Sequence, residues 1–406
     1  MWKRLLIICT CALTVTACAR EKESISEKVE VTVAHTMEES VVEETSISVE
    51  EIDLEEDVTA TEEVVAEEDM TVEDISVEED VFPQNSYDFT ICFAGDINLD
   101  EAWCTTQFLN QQPNGITDCI SPDLLAHMNA ADVMCLNNEF TYSLLGEPLA
   151  DKLYTFRANP ERVSVLQEMG VDIVKLANNH VYDYGKQALL DTFDTLEGAG
   201  IAYVGAGRNL AQAMEPVYIE LDGKIIAFVA ASRAEKFKMT PQATEDSPGI
   251  LRCYDTELFL ETIKKADANA DFVLAYVHWG TEYSYELEDV QMTTGREYLD
   301  AGADVVIGAH SHCLQGMEYY DEKPIIYSLG NYWFNEKTLD TMLLDLHFYG
   351  DDENKNLEVK VIPAIQSGYR TQGIADIEEQ ERIYSFLEDI SINVEIDQDG
   401  MVQERK

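Results

Sequence analysis

Hydrophobic and polar positions alternate in blocks that predict an α/β domain from residue 87 onward. Short apolar runs of strand length recur at 88–94, 132–136, 172–176, 201–204, 224–231, 271–277 and 304–307. Apolar residues at helical spacing separate several of these runs, at 160–169, 186–197, 257–268 and 290–301. Because strands that alternate with helices are typical of parallel sheets, the pattern predicts a largely parallel α/β arrangement.

Polar side chains follow five of the predicted strands, at the point where each strand ends. Because the carboxyl ends of parallel strands share one edge of a sheet, we expect these segments to converge in space. The spacing His310-x-His312 would also place both rings on one side of an extended strand. The five segments are Gly95-Asp96, Asn137-Asn138-Glu139, Asn178-Asn179-His180, His278 to Glu282, and Gly308 to His312.

These side chains form a ligand set that suits a divalent cation. Asp96 and Glu139 offer carboxylates, Asn179 offers an amide oxygen, and the histidines offer imidazole nitrogens, a mixture typical of Zn, Mn or Fe sites. A bridging carboxylate would allow two ions about 3.5–4 Å apart to clamp a phosphoryl group and activate water. A single histidine at a strand end is usually structural, so it is the joint occurrence of five polar strand ends that favours a metal site.

The first 18 residues have the pattern of an export signal. Lys3 and Arg4 precede an apolar stretch that is too short to span a bilayer. The run Val15-Thr16-Ala17-Cys18 resembles a bacterial lipobox, which implies cleavage before Cys18 and a lipid on its thiol. We therefore expect an extracytoplasmic lipoprotein that is anchored to the membrane through Cys18. The alternative is an ordinary signal peptide that contains a cysteine by chance.

Residues 19–86 predict a disordered acidic linker. Pairs of Val and Ile alternate there with Glu and Asp, and a segment with charge of one sign and few aromatic residues cannot bury enough apolar surface to fold. The whole chain has a formal net charge of −52. This charge argues against a nucleic-acid partner, and it means that an anionic substrate would need a local positive charge such as bound metal ions.

The cysteines divide by location. Cys9 and Cys11 belong to the predicted signal, whereas Cys92 and Cys135 lie in apolar strand-like runs and are expected to be core thiols. The spacing of the cysteines matches no disulfide framework or zinc pattern, although an oxidising compartment permits disulfides. The one pair that we would test as a disulfide is Cys104 with Cys119.

With these motifs the sequence resembles the CapA family of poly-γ-glutamate capsule synthesis proteins, whose domain is similar to calcineurin-like metallophosphatases. The resemblance implies a metallophosphatase-like layered α/β sandwich at 87–395, with its last helix near 379–390 and a tail at 396–406. The matching motifs are Phe93-Ala94-Gly95-Asp96, Leu136-Asn137-Asn138-Glu139, Leu176-Ala177-Asn178-Asn179-His180 with Asp183-Tyr184-Gly185, Val277-His278-Trp279-Gly280-Thr281-Glu282-Tyr283, Gly308-Ala309-His310-Ser311-His312, and Tyr327-Ser328-Leu329-Gly330-Asn331.

The resemblance also implies site residues and cofactors. His180, His310 and Glu282 are the catalytic candidates, Asn331 is a candidate for orienting ligands or substrate, and the implied cofactors are one or two Mn, Zn or Fe ions. The chain departs from the wider phosphatase pattern at Asn98, where a histidine often stands, and at Glu139, where those enzymes carry a Gly-Asp pair. The implied metal positions are Asp96, Glu139, Asn179, His180, His278, His310 and His312.

Three functions stand as alternatives. The first is a role in the synthesis or export of poly-γ-glutamate, with the anionic polymer and other capsule-synthesis membrane proteins as partners. The second is an extracytoplasmic, metal-dependent phosphoesterase or related hydrolase. The third is a non-catalytic metal-binding scaffold, which Asn98 in place of a histidine motivates.

Overall fold

A computed structural model describes residues 86–234 and 239–406. The predicted signal peptide with Cys18 lies outside the described residues, and so does the predicted acidic linker apart from Ser86. Within the described part of the chain, no helix combines the length and the apolar character needed to cross a bilayer.

Helices and strands alternate along the described chain. The α-helices are α1 (Cys104–Leu109), α2 (Pro122–Ala130), α3 (Val163–Glu168), α4 (Gly185–Ala199), α5 (Leu210–Ala213), α6 (Glu257–Asp267), α7 (Asp289–Asp300) and α8 (Ile377–Asp389). Short 3₁₀ helices occur at Gly115–Asp118 and Pro160–Arg162. The strands are β1 (Tyr87–Ile97), β2 (Val133–Asn138), β3 (Thr141–Tyr142), β4 (Arg157–Ala158), β5 (Ile173–Lys175), β6 (Ala202–Val204), β7 (Ala206–Gly207), β8 (Val217–Leu221), β9 (Lys224–Ser232), β10 (Gly249–Ile250), β11 (Phe272–His278), β12 (Val305–Ala309), β13 (Leu314–Tyr320), β14 (Lys323–Leu329), β15 (Asn331–Trp333), β16 (Leu339–Gly350), β17 (Lys355–Ser367), β18 (Arg370–Gly373), β19 (Val394–Ile396) and β20 (Met401–Glu404).

Two large mixed sheets organise the domain. The first has the order β19-β20-β17-β16-β1-β2-β5-β6, with β15 beside β1 and β18 beside β17. The second has the order β13-β14-β12-β11-β9-β8. The central pairs are parallel in both sheets, whereas β16 and β17 in the first sheet and β8 and β13 in the second pair antiparallel with their neighbours.

The sheets face each other across an apolar core, and helices cover their outer faces. Side chains such as Phe93 of β1 and Tyr276 of β11 meet in the core between the sheets. A second cluster packs α2, α3 and α4 on the outside of the first sheet, and a third packs α6 and α7 on the outside of the second. The layered α/β sandwich that the sequence predicts is therefore confirmed.

An aspartate directly before each of four strands caps the strand beside it. The carboxylate of Asp132 accepts the backbone N–H of Thr90 at 3.0 Å, and that of Asp172 accepts the N–H of Met134 at 2.9 Å. Asp271 and Asp304 make the same bond in the second sheet, at 2.9 and 2.8 Å. These bonds satisfy backbone donors one residue before each parallel pairing begins, where the neighbouring strand offers no ladder partner.

The predicted helices and strands are present, but the simple parallel arrangement is wrong in one respect. The five polar strand ends belong to two sheets and not to one, since β1, β2 and β5 lie in the first sheet and β11 and β12 in the second. The antiparallel strands between residues 314 and 373, and the final hairpin of β19 and β20, were not predicted. The expected last helix is α8, which begins at Ile377 and ends at Asp389.

All six cysteines of the described chain are free thiols. Cys104 donates to a Glu336 carboxylate oxygen at 3.3 Å, and Cys119 donates to the Gly115 carbonyl at 3.8 Å. The suggested Cys104–Cys119 disulfide is therefore absent, because the two thiols have separate partners. Cys92 and Cys135 are buried in the core as expected.

Candidate metal centre

The carboxylates and histidines at the ends of β1, β2, β11 and β12 converge on one buried position. The ligand atoms of Asp96, Glu139 and His312 all lie within 4.8 Å of one another. Those of Glu139, His278 and His310 form a second such group. Glu139 belongs to both groups, so the arrangement offers two adjacent cation positions that share one carboxylate.

Three buried atoms of these groups have no hydrogen-bond partner, namely Asp96 Oδ2, Glu139 Oε1 and His310 Nδ1. Histidine nitrogens face two of these oxygens, since His312 Nδ1 lies 3.3 Å from Asp96 Oδ2 and His278 Nε2 lies 3.5 Å from Glu139 Oε1. Buried polar atoms are normally paired, and unpaired ligand atoms facing one another are what a cation site requires. The residues present therefore fit one or two divalent cations.

The electrostatics of the carboxylates fit the same conclusion. Burial, followed by the neighbouring charge of Asp96, raises the pKa of Glu139 well above its usual value. Burial alone would lower the pKa of His312, but the charges of Glu139 and Asp96 outweigh it and raise that pKa to about 9. The same His312 contact holds the pKa of Asp96 below its usual value in spite of burial. Without a cation, the cluster thus compensates its negative charge with protons.

Lys175 is a site residue that the sequence analysis did not identify. Its Nζ atom lies 2.9 Å from His278 Nδ1, and burial lowers the pKa of its amine to about 7. On the other side of the ring, His278 Nε2 lies 2.7 Å from Asn179 Oδ1. For Nε2 to bind a cation, its proton must move to Nδ1, and Lys175 must then be a neutral amine that accepts a hydrogen bond from the Nδ1–H group. The sequence signal that could have identified Lys175 is its position as a charged residue within the apolar predicted strand at 172–176.

His180 occupies a different position from the other histidines. Its Nδ1 atom lies 2.6 Å from Asp183 Oδ2, and its ring packs 4.4 Å from that of Phe156. The Nζ atom of Lys152 holds the other oxygen of Asp183 at 2.7 Å. Burial lowers the pKa of His180 although Asp183 partly opposes this shift. His180 is in neither ligand group, so its predicted catalytic role fits the contacts better than its predicted metal role.

The two histidines after β12 do not owe their proximity to strand alternation. Strand β12 ends at Ala309, and His310 and His312 have positive φ angles of 101° and 56°. Their ring centroids lie 6.1 Å apart, and the ring of His310 lies 4.5 Å from that of His278. The strand-based explanation was therefore wrong, because a strained turn directs the rings. Such strain is typical of functional sites.

The remaining predicted residues lie at the margins of the centre. Asn331 Oδ1 lies 2.8 Å from His312 Nδ1, so this candidate contacts one of the possible metal ligands. The amide oxygen of Asn98 accepts the N–H of Asp100 at 2.8 Å and is already occupied. Glu282 is exposed, and it acts on the buried groups through its charge, which raises the pKa values of Glu139 and His312.

Two neighbouring asparagines hold the carboxylates in place. Asn137 Nδ2 donates to Asp96 Oδ1 at 2.6 Å and to Glu139 Oε2 at 3.2 Å. Asn178 Nδ2 donates in turn to Asn137 Oδ1 at 3.1 Å, and Asn178 Oδ1 accepts the backbone N–H of His180 at 3.0 Å. This network links the ends of β1, β2 and β5, as outer partners of metal ligands commonly do.

An α/β sandwich with this carboxylate and histidine cluster defines a protein with a candidate metal centre. The chain belongs to the family described as bacterial capsule synthesis protein PGA_cap, whose sequence profile matches residues 90–336. Every residue of the two ligand groups lies inside the matched range. This membership confirms the family resemblance that the sequence motifs indicated.

Relatives with known names are similar over part of their length. The chain is 35% identical over 202 residues to the PGA biosynthesis protein CapA of Bacillus subtilis (strain 168), a match that covers 49% of this chain and 52% of that protein. It is 33% identical over 246 residues to the capsule biosynthesis protein CapA of Bacillus anthracis, covering 59% of this chain and 58% of that protein. The chain thus spans between about half and three fifths of these relatives.

Among solved structures, the chain is similar to a putative 5'-nucleotidase from Staphylococcus aureus in complex with alpha-ketoglutarate. The sequence identity is 16% and the TM-score is 0.43. The match covers 74% of this chain and 58% of the other chain.

Proposed function

We propose that this chain takes part in the synthesis or export of a poly-γ-glutamate capsule and that a divalent-cation centre is required for that role. One observation carries the proposal: the capsule-synthesis profile matches residues 90–336, and this range contains every member of both ligand groups. The names of the two CapA relatives support the same role. A growing anionic polymer and other capsule-synthesis membrane proteins are the proposed partners.

The proposed location is outside the cytoplasmic membrane, with the domain anchored by a lipid on Cys18. The support for this location is the lipobox-like run that ends at Cys18. An acidic chain of net charge −52 would repel a polyanion at long range, so a cation in the centre would supply the local attraction.

Each ligand candidate has a proposed place. Asp96, Glu139 and His312 would hold one Mn, Zn or Fe ion, and Glu139, His278 and His310, with Asn179, would hold a second. A bound ion of this kind polarises an oxygen of its substrate and lowers the pKa of water. His312 must lose its proton to act as a ligand, and Asn331 keeps its Nδ1 atom oriented.

His180 is proposed to move a proton at the edge of the centre. When the Nδ1–H group of the neutral His180 ring donates its hydrogen bond to Asp183, the Nε2 atom carries the free lone pair. Burial favours this neutral form near pH 7, since it lowers the pKa of His180. His180 would therefore accept a proton from an attacking group and return it to a leaving group.

The capsule role is tested by deletion and complementation in the organism of origin. We expect deletion to abolish or shorten cell-bound polyglutamate, wild-type protein to restore it, and Glu139→Gln to fail. The matched control is Glu261→Gln, an exposed change on α6 that should restore the polymer. Polymer of unchanged amount and length in the deletion strain would refute the proposal. We expect Cys18→Ala to be lost from the membrane fraction. Retention of this variant in the membrane fraction would contradict the lipid anchor on Cys18.

A second candidate function is a metal-dependent phosphoesterase, which the His180–Asp183 pair beside the ligand groups favours. Its test is release of p-nitrophenol from model phosphoesters by protein supplied with Mn²⁺ or Zn²⁺. His310→Ala should lose the ion held by its own ligand group and lose turnover, whereas His180→Ala should lose turnover and keep its metal. Turnover that persists without metal would exclude this activity.

Metal analysis separates both functions from the non-catalytic scaffold. A scaffold predicts that Glu139→Gln removes at most one ion per chain, that there is no turnover, and that capsule is normal in cells that carry His180→Ala. Loss of two ions per chain in Glu139→Gln, together with turnover in the wild type, would exclude it.

A further inference from the structure

A third group of ligand-type side chains lies on the outer face of the first sheet, beneath α2. Cys92 is on β1, Asp345 is on β16 and His127 is on α2, and their ligand atoms all lie within 4.8 Å of one another. Cys92 precedes Asp96 by four residues, which is about 13 Å along a strand. The group is therefore separate from the candidate metal centre.

The positions of the three side chains are set by rigid elements. Cys92 and Asp345 are direct partners in the antiparallel ladder of β1 and β16, so their side chains project from the same face of the sheet. His127 Nε2 lies 2.8 and 3.0 Å from the two oxygens of Asp345. The next helix residue, Met128, accepts the hydroxyl of Tyr332 at 3.3 Å, which fixes the height of α2 above the sheet.

The group is accessible from one side. The His127 side chain is 37% exposed, whereas Cys92 is completely buried and Asp345 is nearly so. An ion would enter past the imidazole and meet the sulfur at the bottom of the site. A usable site needs such a path as well as ligands.

We propose that Cys92, His127 and Asp345 bind one soft divalent ion of the zinc type, with water in the fourth position, and that this ion fastens α2 to the sheet. Sulfur, imidazole nitrogen and carboxylate oxygen are the three ligand types that zinc takes in proteins. Zinc–ligand bonds of about 2.0–2.3 Å place ligand atoms roughly 3.5 Å apart in a tetrahedron. The three ligand atoms here lie within 4.8 Å of one another, which is close to that spacing.

Charge balance also supports the site. A thiolate and a carboxylate together neutralise one dication, and the thiol proton leaves to solvent as the sulfur–metal bond forms. Calcium and magnesium do not compete well, since both prefer oxygen ligands.

The competing interpretation is an ordinary ion pair between His127 and Asp345 beside a structural thiol. Lys360 is the ladder partner of Asp345 on β17, and its positive charge acts on His127, where it lowers the pKa against the effect of Asp345. The two interpretations differ in a measurable way, because only a metal-bound thiolate gives sulfur-to-metal charge transfer.

The test is cobalt substitution in full-length protein stripped of metal and reduced with a phosphine. A Glu139→Gln, His310→Ala background removes the candidate metal centre, so that cobalt bound there does not contribute. We expect a near-ultraviolet sulfur-to-cobalt charge-transfer band that saturates at one cobalt ion per chain. Zinc should displace the cobalt and remove the band, and Cys92→Ser should lack it. The matched control is Cys135→Ser, a buried thiol on the neighbouring strand β2, which should keep the band.

His127→Gln keeps the test decisive if Cys92→Ser does not fold, because His127 is partly exposed. This variant should fold and bind zinc at least about tenfold more weakly, since one of three protein ligands is lost. At the same zinc concentration, zinc should also raise the thermal unfolding midpoint of the background protein by more than that of His127→Gln. Absence of the band in the folded background protein, or a band that survives Cys92→Ser, would overturn the proposal.

Discussion

Lys175 places an amine against His278, a ligand candidate of the metal centre. Its Nζ atom is 2.9 Å from His278 Nδ1, and a positive charge at this distance opposes a cation on Nε2. A neutral acceptor at the same position would orient the ring without the opposing charge.

We therefore predict that Lys175→Gln raises the affinity for Mn²⁺ or Zn²⁺ at neutral pH by about tenfold, equivalent to about 1.4 kcal/mol. Isothermal titration of metal-free protein would measure the change. Lys264→Gln, an exposed substitution on α6, is the control and should leave the affinity as it is. An equal or weaker affinity in Lys175→Gln would mean that the ammonium charge does not limit binding.

At the scale of elements, two glycines allow backbone segments to approach closely at the site. A Cβ added to Gly308 would lie 1.9 Å from the carbonyl oxygen of Tyr327 and 2.6 Å from Trp279 Nε1. A Cβ added to Gly95 would lie 2.0 Å from the carbonyl oxygen of Gly330. These contacts explain why glycine stands beside the ligand residues at the ends of β12 and β1.

We predict that Gly308→Ala lowers the free energy of unfolding by at least about 2 kcal/mol, because the neighbouring backbone cannot move aside freely. Urea denaturation would measure the loss. Gly198→Ala is a suitable comparison, since an added Cβ in α4 meets nothing and alanine favours helix by about 0.5–1 kcal/mol. Equal stability of the two variants would show that the close approach is not a constraint.

His347 on β16 joins three strands at the surface. Its ring nitrogens lie 2.9 Å from Asp88 on β1 and 3.4 Å from Glu358 on β17. Burial alone would lower the pKa of His347, but the hydrogen bonds to these two carboxylates outweigh it and raise the pKa. A raised pKa stabilises the fold fully below the unfolded value of about 6.5, and this stabilisation is lost as the pH rises through the folded pKa.

We expect the stability difference between wild type and His347→Gln to be present near pH 5.5 and to vanish near pH 9. The difference should stay below about 0.5 kcal/mol, because all three groups are partly exposed and solvent and salt screen them. Denaturant unfolding at the two pH values, at low salt, would detect it. A difference that grows towards high pH would contradict the assignment.

At the scale of the whole molecule, the candidate metal centre joins the two sheets. Asp96 and Glu139 lie at the ends of β1 and β2 in the first sheet. His278 ends β11 in the second sheet, and the turn that carries His310 and His312 follows β12. A cation held by both sheets would bind the folded state and not the unfolded chain, so it would stabilise the sandwich as a whole.

We predict that Mn²⁺ at about one hundred times its dissociation constant stabilises metal-free protein by about 2.7 kcal/mol and raises its unfolding midpoint by roughly 5 °C. Scanning calorimetry with and without a chelator would measure the shift. Glu139→Gln should abolish it because Glu139 belongs to both ligand groups, and Glu261→Gln should retain it. A midpoint that does not respond to metal in wild type would argue against cations at this position.

Much of the fold could be predicted because it depends on local patterns. Buried parallel strands are continuous apolar runs, and glycines with positive φ, such as Gly170 and Gly200, mark the ends of helices. The strand boundaries were one residue early at Asp132 and Asp172, because these aspartates cap the neighbouring strand from just outside their own. The antiparallel strands after residue 314 escaped prediction, since their pairing depends on partners distant in sequence.

The sequence alone determined that the chain contains an acidic first segment, an α/β domain, and chemically suitable residues at five strand ends. These properties are carried by composition and by the local order of residues. Only the tertiary structure decided that the strand ends come from two facing sheets, that Lys175 touches His278, and that Cys92 lies near His127 and Asp345. The reason is physical, because distances between residues far apart in the chain depend on how the sheets and helices pack.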